Sequence, residues 1–499
     1  MAEQVTTRSA NPAEVTKLEV YSNEDESKSV DLRGGLFRIQ YYESILQDTV
    51  RVTVIYSDTG STIEKDGELV SAVEGLPIVG QERVDLVFTD NNDNEISFTK
   101  SGDNPLYINK YTPMMEDTTR SLVMLDLVSK EFILNEKLRI NTRFDGKISD
   151  HVKGILTSME FDKDGAKVQK KYLDTKKEID VEESDGMYNF CGNNRKPFYT
   201  INWLSKKAVP GGEGNPDALG NSAGYFLWET SKGYHFKSID WLMNEEKNKK
   251  KKSIIYNDSP DGGGEKTPKG YDIKALAAEK DNRINIQEKL KMGAYSTRTI
   301  VFNPFSCLYE VVAPNAYAKG DVPASQDKLK LAGEKLPVMN KEFDMNEAEG
   351  GSSEGTKKDS KEFSRTQYMI IDSGTLIADG SRNPKEWTKG TKAQLEKSQK
   401  EENFEITKIL SQSSMRYNQL FGTKISVTIP GEFSLHAGDS IFFDGPELTS
   451  DANKDSIDQK DGGLYIIADI CHYSSTKETY TKMNLIRDST ERKGKPTES

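Results

Sequence analysis

The chain has 499 residues, length for about three domains and a sizeable core, so it is neither a peptide nor a single small module. Charged residues make up 30% and apolar ones 35%, a balance far from that of a wholly disordered chain and suited to folded domains carrying polar insertions. With 68 Lys and Arg against 80 Asp and Glu, the net charge of −12 disfavours adhesion to a phosphate backbone or an anionic membrane.

The first fourteen residues, Met1 to Glu14, hold no apolar core of a signal peptide, and no stretch approaches the ~18 apolar residues of a spanning helix. The expectation is a soluble chain made in a cytoplasm. Alternation then predicts strands at Val15–Tyr21, at Leu36–Tyr42 with Phe37, Ile39 and Tyr41 on one face, and at Val50–Tyr56 before the turn Asp58-Thr59-Gly60. Val84–Phe88 and Ile96–Phe98 flank the polar tip Asp90–Glu95, and Leu122–Val128 adds another strand. Short strands with regular turns suggest a sandwich or small barrel over roughly 15–128.

The period then changes. Val152, Ile155, Leu156 and Met159 form one helical stripe with Ser149 as N-cap, and Phe198, Ile201, Leu204 and Ala208 form another behind Pro197. Past a Gly/Pro-rich loop, Tyr225–Thr230 and Tyr234–Ile239 read as aromatic strands joined by Ser231-Lys232-Gly233. Their apolar residues lie on both faces, which places them deep in a core or an interface. Phe226, Trp228, Tyr234 and Phe236 are the candidates for core packing. Asn244–Lys252 and the segment to Gly270 read as an exposed loop. Short helices are predicted at Ile273–Glu279 and Ile284–Met292, the second stopped by Gly293, and Thr299–Val312 returns to strand. Ala318–Lys361 lacks periodicity and reads as a polar insertion. Lys424–Ile429, Ser440–Phe443, Leu464–Ile470 and Tyr480–Arg487 close the chain as a second β-rich unit, with no repeat of the first visible in residue identity.

Chemical motifs fail on context. Gly220-Asn221-Ser222-Ala223-Gly224 matches G-x-S-x-G, but a loop precedes it and a hairpin follows, where a nucleophile elbow needs a strand and a helix. Asp90, Asn92 and Asn94 occupy the first ligand positions of a calcium loop, yet Glu95 stands where glycine must turn and Ser101 where a carboxylate belongs. Gly262–Gly264 lacks phosphate-loop spacing, and Lys249–Lys252 reads as a solvated run. His151, His235, His436 and His472 show no metal-ligand spacing. Cys191, Cys307 and Cys471 form no paired motif, and the common state of such cysteines is buried and inert. No catalytic residue, metal site or cofactor is assigned.

Specific residues carry the reading further. Val30-Asp31-Leu32-Arg33-Gly34-Gly35, Tyr41-Tyr42-Glu43-Ser44-Ile45-Leu46 and Asp58-Thr59-Gly60 resemble the opening of baseplate hub subunits of contractile-tailed bacteriophages, particularly those infecting marine cyanobacteria. Arg195-Lys196-Pro197-Phe198, Gly224–Leu242, Thr428-Ile429-Pro430-Gly431, Gly462-Gly463-Leu464-Tyr465 and Leu485-Ile486-Arg487-Asp488 are similar to later hub segments. The long polar insertions depart from the pattern.

That resemblance implies an α+β, predominantly antiparallel β fold: two tube-type β-barrel domains with an intervening mixed α/β domain. On this basis 1–14 is an N-terminal extension and 15–128 the first barrel. The mixed domain takes 129–223 and 271–298, and the second, discontinuous barrel takes 224–243, 299–317 and 404–490. Residues 244–270 and 318–403 are polar insertions and 491–499 a tail. It further implies a non-enzymatic homotrimer in the virion baseplate, made in the host bacterial cytoplasm. Its partners are a trimeric cell-puncturing spike, tail tube and tube-initiator proteins, a tape measure protein, and wedge or peripheral hub proteins. DNA passes through the lumen without specific binding, and no membrane insertion is expected. The alternatives are a hub or spike subunit of a phage-like secretion or injection device, and a tail-associated cell-wall hydrolase.

Overall fold

The computed structural model describes residues 10–487 except 61–62, 66, 118, 145, 162–166, 170–171, 185–187, 189, 212–222, 243–251, 257–270, 281–285, 294–296, 304–306, 313–364, 371–405 and 446–461. The expectations placed on Ser222, Gly262–Gly264, Lys249 to Lys251 and Ala318–Lys361 lie outside the described residues.

The chain opens with β1 (Glu14–Tyr21), β2 (Ser29–Asp31), β3 (Leu36–Ser44), β4 (Arg51–Asp58), β5 (Ile63–Lys65), β6 (Glu68–Val70), α1 (Ala72–Gly75), β7 (Arg83–Thr89), β8 (Glu95–Phe98), β9 (Leu106–Glu116) and β10 (Ser121–Ser129). A mixed region contains α2 (Lys130–Lys137), β11 (Arg143–Phe144), α3 (Ile148–Thr157), β12 (Met159–Phe161), β13 (Lys167–Gln169), β14 (Glu178–Val181), β15 (Phe190–Cys191), α4 (Pro197–Ser205), β16 (Tyr225–Thr230), β17 (Gly233–Ser238) and α5 (Ile239–Leu242). Then come β18 (Ser253–Ile255), β19 (Ile273–Lys274), β20 (Ala277–Lys280), α6 (Ile286–Met292), β21 (Thr297–Asn303), β22 (Leu308–Val312), β23 (Arg365–Ile370), α7 (Ile406–Leu420), β24 (Thr423–Pro430), β25 (Ser440–Asp444), β26 (Gly463–Ser475) and β27 (Thr479–Arg487). The fold is mainly β, with few helices.

Hydrogen bonding reveals a repeat. The N-terminal strands are ordered β2-β1-β7-β9-β10-β4-β3 and the C-terminal ones β19-β18-β25-β26-β27-β24-β20. Matched in chain order, β1, β2, β3, β4, β7, β9 and β10 correspond to β18, β19, β20, β24, β25, β26 and β27, so both sets follow one connectivity. The correspondence reaches single residues. Pairing of β9 with β10 skips Asn109, and pairing of β26 with β27 skips Ala468, at matched places. Gln81 (φ 71) donates to the Ile108 carbonyl at 2.7 Å, and Gly438 (φ 87) donates to that of Ile467 at 2.9 Å. The next residues, Glu82 and Asp439, each accept a backbone N–H from three residues upstream, Val79 at 2.8 Å and His436 at 3.0 Å. Val52, Val54 and Tyr56 fill one core as Ile425, Val427 and Ile429 fill the other. One difference is that β18 pairs parallel with β19 and β25, whereas β1 pairs antiparallel with β2 and β7.

The sets are joined edge to edge. Asp469–Ser475 of β26 pairs antiparallel with Arg38–Ser44 of β3, so β20-β24-β27-β26-β3-β4-β10-β9 is one eight-stranded antiparallel sheet. Among the described residues, hydrogen bonds close neither set into a barrel.

The aromatic hairpin β16–β17 pairs with β14 in a separate three-stranded sheet and is shared by two cores. Phe226 and Trp228 pack with the C-terminal strands, while Tyr225, Leu227, Tyr234 and Phe236 pack with α3 and α4. Two apolar faces are what a strand between two cores requires.

Several expectations are corrected. Ile273–Glu279 is not a helix: its helix-forming Ala and Glu residues are drawn out by pairing with β24, tertiary context overriding propensity. The N-cap of α3 is Lys147, and Ser149 lies inside the helix, where its N–H donates to Ser184 Oγ at 2.9 Å. Phe37 is 55% exposed because the register of β3 against β4 skips it, turning it away from Ile39 and Tyr41. The hairpin turn is two residues, since Gly233 pairs with Thr230. Within the expected loop 244–270, Ser253–Ile255 is a strand with Ser253 and Ile254 buried. Cys191 and Cys307 are exposed rather than buried.

Candidate functional site

The eight-stranded sheet turns one face to the two cores and the other to solvent. A cavity of about 650 Å³ opens on the outer face across the β26·β3 junction, lined by residues from both repeats. Its polar floor is cross-linked between strands. Ser44 Oγ donates to Asp469 at 2.5 Å, Asn484 Nδ2 donates to the other oxygen of Asp469 at 3.1 Å, Ser426 Oγ donates to Asn484 at 2.8 Å and Thr53 Oγ1 to Asp126 at 3.2 Å. Burial pushes the Cys471 thiol up to about 11 and the Tyr42 hydroxyl up to about 12, which leaves both protonated and unreactive as nucleophiles near neutrality. Such a face offers shape and hydrogen bonds, not an activated group.

Two buried polar clusters lock the mixed region to the sheets. In the first, Lys177 Nζ donates to Glu131 at 2.7 Å and to Glu229 at 2.5 Å, all three buried, while Glu229 also accepts the Val50 N–H at 3.0 Å at the entry to β4. Burial raises the Glu229 carboxyl despite the ammonium beside it, and burial opposes but does not prevent the lowering of Glu131 by Lys177. In the second, Glu43 of β3 accepts from Tyr41, from the Ala437 N–H at 2.8 Å and from the Ser231 N–H at 3.2 Å, and lies 3.0 Å from His436 Nδ1. Burial alone would push Glu43 up. The His436 imidazole and the Tyr41 hydroxyl outweigh it and hold the carboxyl down at about 2. Both clusters act as registers between separately packed layers, because a buried charge tolerates only the arrangement that pairs it.

Among the described residues, no group of three His, Cys, Asp or Glu is arranged to hold a metal ion. The histidines are committed elsewhere: His151 Nε2 lies 2.8 Å from the Tyr188 carbonyl, His235 3.0 Å from Thr230, and His472 between Thr481 and the Leu435 carbonyl. Asp90 holds the hairpin tip, accepting from Asn92 and Asn94, and also accepts the Phe433 N–H at 2.8 Å. Lys252 pairs with buried Glu432. Sequence reasoning missed Glu43, Glu131, Lys177 and Glu229. One signal was present: Glu229 is the sole charge in a strand apolar on both faces.

No family model and no curated protein matches the chain. Among solved structures it is similar to a tail protein from Neisseria meningitidis, at 9% identity over 95% of this chain and 96% of that one, with a TM-score of 0.43. It is similar to the 43 kDa tail protein of prophage MuSo2 from Shewanella oneidensis, at 8% identity over 96% and 100%, with a TM-score of 0.44. A third is an Escherichia coli component of the type VI secretion system, at 6% identity over 96% and 79%, with a TM-score of 0.38.

Proposed function

We propose that the chain is a structural hub subunit of a contractile phage-type baseplate, three copies forming a ring that joins a central spike to the tail tube and surrounds the DNA channel. The observation that carries this reading is the repeat of strand order within one continuous sheet. Two repeats per chain let a threefold ring present six similar units to a sixfold tube. An eight-stranded open sheet has two edges that need covering, and joining copies edge to edge covers them. Three copies supply roughly 24 strands, more than the 16–18 that already leave an aqueous channel in closed barrels. The hub resemblance of the segments around Tyr41–Leu46 and Gly462–Tyr465 supports the same reading.

The role is mechanical. The buried clusters hold the mixed region rigidly on the sheets, and the net charge of −12 suits a wall that does not retain a phosphate backbone. The mass of the purified chain, alone and with a trimeric spike, tests the proposal. Three copies per particle are expected, and a monomer that does not assemble on the spike overturns it.

A further inference from the structure

The chain is acidic as a whole, yet the outer face of its eight-stranded sheet is not. Alternation along the strands puts five cations there: Arg38 on β3, Arg51 on β4, Lys110 on β9, Lys424 on β24 and Lys482 on β27. Three carboxylates share the face, those of Asp126, Asp469 and Glu279. Two of them are satisfied locally: Asp126 accepts from Thr53, and the two oxygens of Asp469 accept from Ser44 and Asn484. The cations are held differently. Among the described residues, none of the five pairs with a carboxylate. Arg51 instead lies 5.6 Å from the centre of the Phe132 ring, and Arg38 and Lys482 lie 6.0 and 5.9 Å from that of Tyr473. Arg51, Tyr42, Cys471 and Lys482 stand opposite one another in a row across β4, β3, β26 and β27, and Arg51 and Lys482 both line the cavity.

We propose that this face is a phosphate-contacting surface whose occupant is duplex DNA. The charges decide the sign of the partner, and their spread decides its breadth. From Lys110 on β9 to Lys424 on β24 there are six strand spacings, about 28 Å, too wide for one extended peptide and close to a turn of duplex at about 34 Å. With cations over the Tyr473 and Phe132 rings, the face offers charge to a backbone rather than open rings to unstacked bases. Net charge averages over the whole surface, whereas a nearby phosphate meets only the charges within a screening length of about 8 Å. The inference rests on the ring reading for its place, since copies joined with their cores outward turn this face to the channel. The grip is conditional on salt. Affinity falls with a slope of about −0.9 per contact, so about five contacts lose roughly a few-hundred-fold between about 50 and about 200 mM. DNA is met by the wall and let go near physiological salt.

Fluorescence anisotropy of a labelled duplex of about 30 base pairs against the purified chain tests this. Binding is expected at about 50 mM salt and is lost by about 200 mM. Arg51→Gln with Lys482→Gln should weaken it about tenfold or more at low salt and reduce the salt slope by about 2. A control pair of exposed lysines elsewhere, Lys28→Gln with Lys153→Gln, should alter neither. Poly-glutamate of equal charge should compete less well than unlabelled duplex. Tighter binding of poly-glutamate gives the face to an acidic protein and overturns the proposal, as does an unchanged slope in the Gln pair. A trimer on the spike that binds no DNA at low salt overturns this inference and leaves the ring. DNA binding by a chain that stays monomeric with its spike sustains the surface and overturns the ring.

Discussion

The two repeats share strand order, one matched pairing irregularity and a matched turn with positive φ, but they differ where β3 meets β4. In the first repeat that connection is the short segment between Ser44 and Arg51. In the second, residues 281–422 lie between β20 and β24 and carry α6, a three-stranded sheet and α7. The polarity pattern of the core strands survives such divergence, because burial selects apolar side chains of workable volume rather than particular residues. A long insertion is tolerated because lengthening a surface connection adds little closure entropy. Both lie at the end of the sheet where the mixed region docks: Glu229 reaches Val50 near the first, and Arg416 of α7 pairs with Asp240 of α5 at 2.6 Å near the second.

The largest effect is expected at the buried anchor of the first repeat. Glu229→Ala leaves Lys177 short of a partner and the Val50 N–H without its acceptor, and should cost about 3–5 kcal/mol in urea or thermal unfolding. Among the described residues, the matching site in the second repeat holds no such triad. A cost below ~1 kcal/mol would remove the cluster from the role given to it.

Acid should act on the junction next. Burial holds the His472 imidazole at about 4, with Glu43 partly opposing, so the ring is neutral in the fold and takes up a proton more readily once unfolded. Its contribution is complete above the unfolded value of about 6.5 and is lost as pH falls toward 4, up to roughly 3 kcal/mol. His472→Gln should flatten that part of the stability profile, and an unchanged slope would contradict the assignment.

The matched turns differ in what surrounds them. A Cβ on Gly438 would lie 2.5 Å from Trp228 Cζ2, and the position has φ 87, so Gly438→Ala should cost about 2 kcal/mol or more. Its counterpart already carries a side chain at φ 71, and Gln81→Gly should change stability by less than ~1 kcal/mol in either direction. Equal effects at the two turns would mean that Trp228 does not set the difference. The smallest effect is expected for the paired core substitutions Ile108→Val and Ile467→Val, each costing about 0.5–1.5 kcal/mol and by similar amounts.

Much of the strand content was legible from period-2 alternation, as at Val50–Tyr56 and Lys424–Ile429, and the aromatic hairpin announced a deep position by being apolar on both faces. The errors fell where local and tertiary preference disagree. Ala277–Lys280 has helix-forming composition but is the outermost strand of a sheet. Phe37 obeys the alternation but sits at a pairing irregularity, which depends on the partner strand and leaves no mark in its own segment.

By itself the sequence determined which segments alternate and which are polar, because these depend on neighbours along the chain. The repeat, the β3·β26 seam and the charge clusters join residues distant along the chain: Glu43 with His436, Glu229 with Val50. Only the tertiary structure decides such meetings, since strand pairing and the burial of charge are settled by which surfaces come together in space.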